Sequence, residues 1–222
     1  MRILALYASV NAHGNDAKGA FIPQATLFAK HHRAAGHVVE LVPFDPTIAV
    51  RAKRRAAFLA IIAASSSFDA IVYFGHGLRT GLPSAGFTLE QIDELAGAIH
   101  AKASKRLIVT LYACSTAGAI GRDRDKLEGD GGFADELRDR LSVLGHTGWI
   151  DAHTTAAHTT INPHTRRFYL DGIAKATGGA FIVAPGSPEW KSWHGALKTD
   201  APFRFGFPFM TATDILAHLR RS

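Results

Sequence analysis

Two side chains in this sequence suit nucleophilic catalysis, and each closes an apolar run. Ile71-Val72-Tyr73-Phe74 leads into Gly75-His76-Gly77, and Leu107-Ile108-Val109-Thr110-Leu111-Tyr112-Ala113 leads into Cys114-Ser115-Thr116. A thiol attacks a carbonyl carbon as its thiolate, and an adjacent imidazole can take the proton and later hand it to a leaving amine. His76 is thus the candidate general acid/base and Cys114 the candidate nucleophile. An imidazole beside the thiol is expected to favour the thiolate and speed its alkylation. Gly77 lets a substrate approach the backbone closely, and its N–H, with that of Cys114, is the candidate oxyanion hole. Cys114 is the single cysteine of the chain, so no intramolecular disulfide forms, and a cysteine-ligated zinc site would lack its thiolates. The competing readings are plain: a lone Cys packs as a small buried hydrophobe, and a His at a strand end bonds a backbone carbonyl.

The elements that must position this pair alternate between strand and helix. Ile3 to Ser9, His37 to Phe44, Asp69 to Phe74, Arg106 to Ala113, Gly148 to Thr154 and Ala180 to Ala184 read as six strands. Helical spacing runs from Phe21 to Ala35, ending at Gly36 as a C-cap. Thr47 is placed to cap a second helix carrying Phe58, Leu59, Ile61 and Ile62. Thr88 and Gln91 form a capping box ahead of Ile92, Leu95, Ala96 and Ile99. Phe133, Leu137, Leu141 and Leu144 mark another helix, and a last one starts near Thr211 with Ile215, Leu216 and Leu219. Gly118 to Gly132 reads as a long loop, and Pro185 to Phe209 as an aromatic, Pro- and Gly-bearing excursion. Alternation of this kind predicts an α/β fold, a three-layer αβα sandwich around a mostly parallel six-stranded sheet, with one domain over residues 1–222. His76 and Cys114 stand 38 positions apart, a span that one crossover helix fills. Successive parallel strands would then bring both groups to the carboxyl edge of the sheet, where open α/β sheets gather their function.

An apolar strand ending in His-Gly, followed by an apolar strand ending in Ala-Cys, resembles the signature of the caspase-like cysteine peptidases. That group includes caspases, metacaspases, gingipains, separases, the self-processing domains of some bacterial toxins and the CHAT domains. Tyr112-Ala113-Cys114-Ser115-Thr116-Ala117 stands where CHAT domains carry Ser-Ala-Cys-x-Thr-Ala or similar, so CHAT is the nearest by motif. The resemblance covers Asp69 to Asp151. It implies a caspase-like fold, a His76–Cys114 dyad without an obligatory third carboxylate, an oxyanion donor at Gly77, and peptide-bond cleavage through a thioester. Many members place a selecting residue two before the cysteine; here that place is Tyr112, so neither the acidic residue of metacaspases nor the Gln of caspases transfers.

Further candidates follow the later strands. His153, His158 and His164 sit after the fifth strand; their steps do not share one helix face, so the expectation is a cleft lining, with no metal site. Trp190 and Trp193 follow the sixth strand, where caspases hold substrate upstream of the cut, so Tyr112, His153, Trp190 and Trp193 are the candidate cleft wall. Asp123, Asp125 and Asp130 bring calcium to mind because some metacaspases need it, but their spacing is not that of an EF-hand and a solvated loop is expected. In the same loop, Arg122, Arg124 and Lys126 are the candidate self-cleavage sites.

Composition bounds the rest. With 47% hydrophobic and 20% charged residues over 222 positions, the chain has an ordinary globular balance. The net charge of +6 is spread over small clusters such as Arg51 to Arg55, Arg122 to Lys126 and Arg166-Arg167, which read as solvated faces. No aromatic-basic module accompanies them, so nucleic acid is not an expected partner; a peptide or protein substrate is. No stretch of 18 apolar residues occurs, so no membrane span is expected. Ile3 to Val10 reads as a strand in preference to a signal peptide, giving a cytoplasmic expectation. Two other functions fit the same pattern. One is a flavodoxin-like flavin- or nucleotide-binding protein using the loop from Ser9 to Asn15. The other is a non-catalytic interaction domain on the caspase-like sheet.

Overall fold

The apolar runs fold as strands of one sheet, and the amphipathic stretches between them fold as helices on its two faces. The structure is a computed structural model and describes residues 1–10, 21–120, 130–155, 162–171, 179–199 and 211–220. In chain order the elements are β1 (Arg2–Ala8), α1 (Phe21–Ala34), β2 (Val38–Phe44), α2 (Arg51–Ala64), β3 (Phe68–Phe74), β4 (Gly81–Leu82), β5 (Phe87–Thr88), α3 (Ile92–His100), β6 (Ala103–Tyr112), α4 (Phe133–Val143), β7 (Thr147–His153), β8 (Thr165–Tyr169), β9 (Ala180–Phe181), α5 (Pro188–Thr199) and α6 (Ala212–Leu219). The main sheet has the order β2-β1-β3-β6-β7-β8-β9, and β4 and β5 form a separate hairpin. The pairings from β2 through β7 are all parallel, and β8 and β9 add to the β7 edge antiparallel. The chain moves outward from β1 to β2 and then returns to β3 on the other side. The reversal creates a topological switch between β1 and β3, the crevice where such sheets bind ligands.

The central strands are buried on both sides, which is why they read as near-continuous apolar runs. On one face, Leu6, Tyr73, Val109 and Leu111 meet Phe58 of α2, Leu95 and Ile99 of α3 and Leu137 of α4. On the other, Phe74 and Tyr112 stack with ring centroids 4.9 Å apart, and Phe28 of α1 packs edge-on against both. Burying each such side chain contributes about 1.5–3 kcal/mol. A second, smaller cluster joins Val183, Trp193 of α5, and Ala212, Ile215 and Leu216 of α6. No helix among the described residues is long and apolar enough to cross a membrane.

Several expectations are corrected. The main sheet has seven strands, not six, because β8 was hidden in Thr-Arg-Arg-Phe-Tyr. Its Arg166 and Arg167 read as a solvated basic pair, yet Arg167 makes a bidentate pair with the buried Asp151 at 2.8 and 2.7 Å. The Arg167 guanidinium also lies 4.4 Å over Trp149, and that of Arg166 lies 4.4 Å over Phe181. The strand expected over Ala180 to Ala184 shrinks to the two residues of β9. Thr47 does not cap α2, which starts at Arg51; its N–H and hydroxyl both donate to Asp45 in a local turn. The aromatic excursion contains α5, whose Pro188 occupies the first turn, where a missing N–H costs nothing. Other boundaries follow the sequence: Gly36 ends α1 at φ 82°, and the Thr88–Gln91 capping box is formed in both directions.

Candidate active site

The register of β3 against β6 decides where His76 and Cys114 lie. The last paired residues are Phe74 and Tyr112. The Gly75 N–H reaches the Tyr112 carbonyl at 3.4 Å, carrying the ladder one step further. His76 and Cys114 each stand two positions beyond that last pair, so they leave neighbouring parallel strands side by side, beside the β1–β3 switch point. Both are half-buried.

The His76 backbone is held on two sides. The Tyr73 hydroxyl donates to the His76 carbonyl at 3.0 Å, and the His76 N–H donates to Ser84 Oγ at 3.2 Å. Tyr73 and Ser84 are both buried. Glycine at position 75 is what lets the Tyr73 hydroxyl through, since a Cβ there would lie 2.4 Å from it. The Phe21 ring, at the start of α1, meets the His76 imidazole edge-on at 5.2 Å. Together these contacts hold the His76 backbone and limit where the imidazole can swing.

The Cys114 segment is held as firmly. Ser115 has φ 55°, the single positive φ at a non-glycine among the described residues. Such strain costs on the order of 1–3 kcal/mol and persists only where the surroundings impose it. They do so through two bonds: Ser115 N–H to the Thr155 carbonyl at 2.9 Å and Ala117 N–H to the His153 carbonyl at 2.8 Å. The start of α4 then ties the two loops together. Its Phe133 N–H donates to the Arg79 carbonyl at 2.8 Å, beyond His76, and its Ala134 N–H donates to the Thr116 carbonyl at 3.0 Å, beyond Cys114. Gly77 is pressed into the join. A Cβ on it would lie 2.6 Å from the Ala113 Cβ, 2.7 Å from Thr116 Cγ2 and 2.8 Å from the Cys114 carbonyl.

The electrostatics depart from the expectation of a preformed thiolate. Burial pushes the Cys114 thiol above its usual pKa, and a hydrogen bond from its own backbone N–H only partly offsets this. The resting group is therefore a thiol at neutral pH. Among the described residues, no backbone carbonyl accepts from the N–H of Gly77 or of Cys114; the Gly77 N–H is open to an oxyanion, and that of Cys114 would turn to one from its own sulfur.

The remaining predicted site residues fall into different surroundings. Tyr112 is buried, and its hydroxyl has no partner among the described residues; burial raises its pKa well above the usual value. It is core packing between Phe74 and Phe28 and presents no surface to a substrate. His153 is also buried, with its ring 5.9 Å from Tyr112, and it acts on the site through its carbonyl, behind the Cys114 turn. Trp193 is 0% exposed and belongs to the second hydrophobic cluster, so it does not line a cleft. Trp193→Ala is accordingly expected to cost about 3–5 kcal/mol of stability, measured by denaturant unfolding. Trp190 is half-buried, stacked on His194 at 4.5 Å and edge-on to His164 at 5.6 Å. Burial, followed by the neighbouring His194, lowers the pKa of His164. His158, the self-cleavage candidates Arg122, Arg124 and Lys126, the calcium candidates Asp123 and Asp125, and Asn11 to Asn15 lie outside the described residues.

Sequence reasoning missed four contributors. Tyr73 and Phe21 looked like ordinary core aromatics, and nothing in the sequence singles out Ser84. Arg79, three positions after His76, carried a readable signal as a cation beside a candidate catalytic histidine. Its side chain runs across Gly118, where a Cβ would lie 2.8 Å from Nε. That contact spans the His76 and Cys114 loops. Among the described residues, the group whose side chains stand close enough together to hold a metal ion is not at this site; it is His31, His32 and Asp214, on α1 and α6.

No family model matches this chain, and no curated protein matches it. Among solved structures it is similar to the Arg-specific cysteine proteinase gingipain R, at 17% identity and a TM-score of 0.43. That likeness takes in 70% of this chain and 32% of the other.

Proposed function

We propose that this chain is a cysteine peptidase of the caspase-like type, with Cys114 as nucleophile and His76 as general acid/base. The observation that carries the reading is the register: His76 and Cys114 follow the paired strands β3 and β6 at equal distance, with Gly77 wedged against the Cys114 carbonyl. Because burial keeps the thiol protonated, the proton leaves as attack begins. The Cys114 S–H proton passes to the His76 imidazole while sulfur bonds to the scissile carbonyl carbon, and the carbonyl π electrons move onto oxygen. The N–H groups of Gly77 and Cys114 hold that oxyanion. Collapse breaks the C–N bond, and the leaving amine takes the proton from His76, leaving a thioester. Water then attacks with His76 as base, and the acid and free thiol are released.

A substrate-independent test follows from the raised thiol pKa. With one cysteine, labelling is unambiguous. Iodoacetamide is expected to alkylate Cys114 more slowly at neutral pH than it alkylates a free-thiol peptide. The rate should climb through an inflection above the peptide's as pH rises, because only the thiolate reacts. His76→Ala should slow the neutral-pH rate further, by about tenfold or more. A rate equal to the peptide's, and indifferent to His76, would describe an unactivated surface thiol and would favour the non-catalytic interaction domain instead.

A further inference from the structure

His32 is a buried histidine without a hydrogen-bond partner among the described residues. It is 7% exposed, and among the described residues neither ring nitrogen has a donor or acceptor within reach. A buried polar group left unpaired costs about 1–3 kcal/mol, so such groups call for a ligand. The surroundings supply the rest of one. His31 precedes it in the last turn of α1, and Asp214 faces it from the first turn of α6. One ligating atom from each of the three lies within 4.8 Å of the other two.

From this geometry we infer that His31, His32 and Asp214 form a binding site for a divalent transition metal of the zinc class, joining α1 to the C-terminal helix. Two imidazoles and one carboxylate are borderline donors that suit Zn²⁺ and Co²⁺ in preference to Ca²⁺ or Mg²⁺. Tetrahedral ligands about 2.1 Å from zinc stand roughly 3.4 Å apart, so the set closes by small rotations of the two partly exposed members. Asp214 is already oriented: Oδ2 accepts from the Thr211 N–H at 3.0 Å and from its hydroxyl at 2.6 Å, leaving Oδ1 for the metal. The carbonyl end of α1 also favours a cation at its last turn.

The site is separate from the proposed catalytic pair. Phe21, which touches His76, lies at the opposite end of α1 from His31, about 15 Å along the helix axis at 1.5 Å per residue. The metal would act as a staple. The helix it pins carries Thr213, which accepts from Arg167 at 2.9 Å. The same helix, with Thr211 just before it, closes a small cavity lined by Thr110, Tyr112, Asp151 and His153 beneath the Cys114 strand.

The test uses the full chain carrying Cys114→Ala, which removes the single thiol able to take a soft metal. Co²⁺ alone is titrated and followed by its visible d–d absorption, with Zn²⁺ as competitor. The expected result is one equivalent of Co²⁺ bound and displaced by Zn²⁺, with His31→Ala and Asp214→Asn each weakening binding by about 100-fold or more. Both positions are partly exposed, and Asn keeps the oxygen that Thr211 needs, so circular dichroism should show an intact fold. Absence of saturable binding, or binding untouched by either substitution, overturns the site. Should a variant unfold, ring-proton NMR of the unsubstituted site decides. Stoichiometric Zn²⁺ must shift His31 and His32; shifts confined to other histidines overturn the inference.

Discussion

Cys114→Ala and His76→Ala are each expected to lower kcat/KM for peptide hydrolysis by about 10⁴-fold or more, with the double variant scarcely worse than either single one. Nucleophile and base act as a unit, so removing one leaves the other without a task, and the losses do not add. The residual rate would come from substrate binding and the oxyanion donors alone. Both side chains are half-buried at loop positions, outside the main cluster of buried residues, so thermal unfolding should change little. The measurement is steady-state hydrolysis of a peptide pool by all four proteins. Losses that multiply in the double variant would mean that the two residues work independently and would contradict the dyad.

The second large effect is expected at a residue with no side chain. Gly77 is not in the left-handed region, so Ala is conformationally allowed there; the obstacle is contact. Its Cβ would meet Ala113, Thr116 and the Cys114 carbonyl at 2.6 to 2.8 Å, two of them in the tightly bonded Cys114 turn. Relief requires the His76 loop to move away from the Cys114 loop, and misplacing reacting groups by about 1 Å costs on the order of 100-fold in rate. Gly77→Ala should therefore lose about 100-fold in kcat, while overpacking costs about 1–3 kcal/mol of stability. Gly97→Ala is the control, because nothing lies within 4 Å of a Cβ on that residue of α3; it should leave kcat unchanged. Equal activity in the two variants would mean that the join between the loops does not matter.

The sequence made the strand ends legible because chemistry interrupts hydrophobicity there. An apolar run that stops at His-Gly or Ala-Cys marks both an element boundary and a candidate group. Gly36 and the Thr88–Gln91 box were readable for a similar reason, since local backbone needs determine them. Tertiary pairing was not readable. Arg166 and Arg167 looked solvated because Asp151, Trp149 and Phe181, which bury or cover them, lie in other elements. Trp193 looked like a substrate contact because its cluster partners come mainly from a helix beyond residue 211. Tyr112 occupies a position that selects substrate in the peptidases its motif resembles, yet strand alternation turns it inward against Phe28. His31, His32 and Asp214 carry no spacing motif, since the third member of that group comes from the far end of the chain. The Cys114 environment was misjudged in sign: an imidazole neighbour suggested a thiolate, whereas burial dominates in the resting structure.

Whether Cys114, aided by His76, cleaves peptide bonds is decided by incubating a positional-scanning peptide library with wild-type protein and with Cys114→Ala, and reading new amino termini by mass spectrometry. The expected result is cleavage after a restricted set of residues in wild type and none in Cys114→Ala. Cleavage that persists in Cys114→Ala, or a library left whole by wild-type protein whose Cys114 also fails to react with iodoacetamide at any pH, would contradict it.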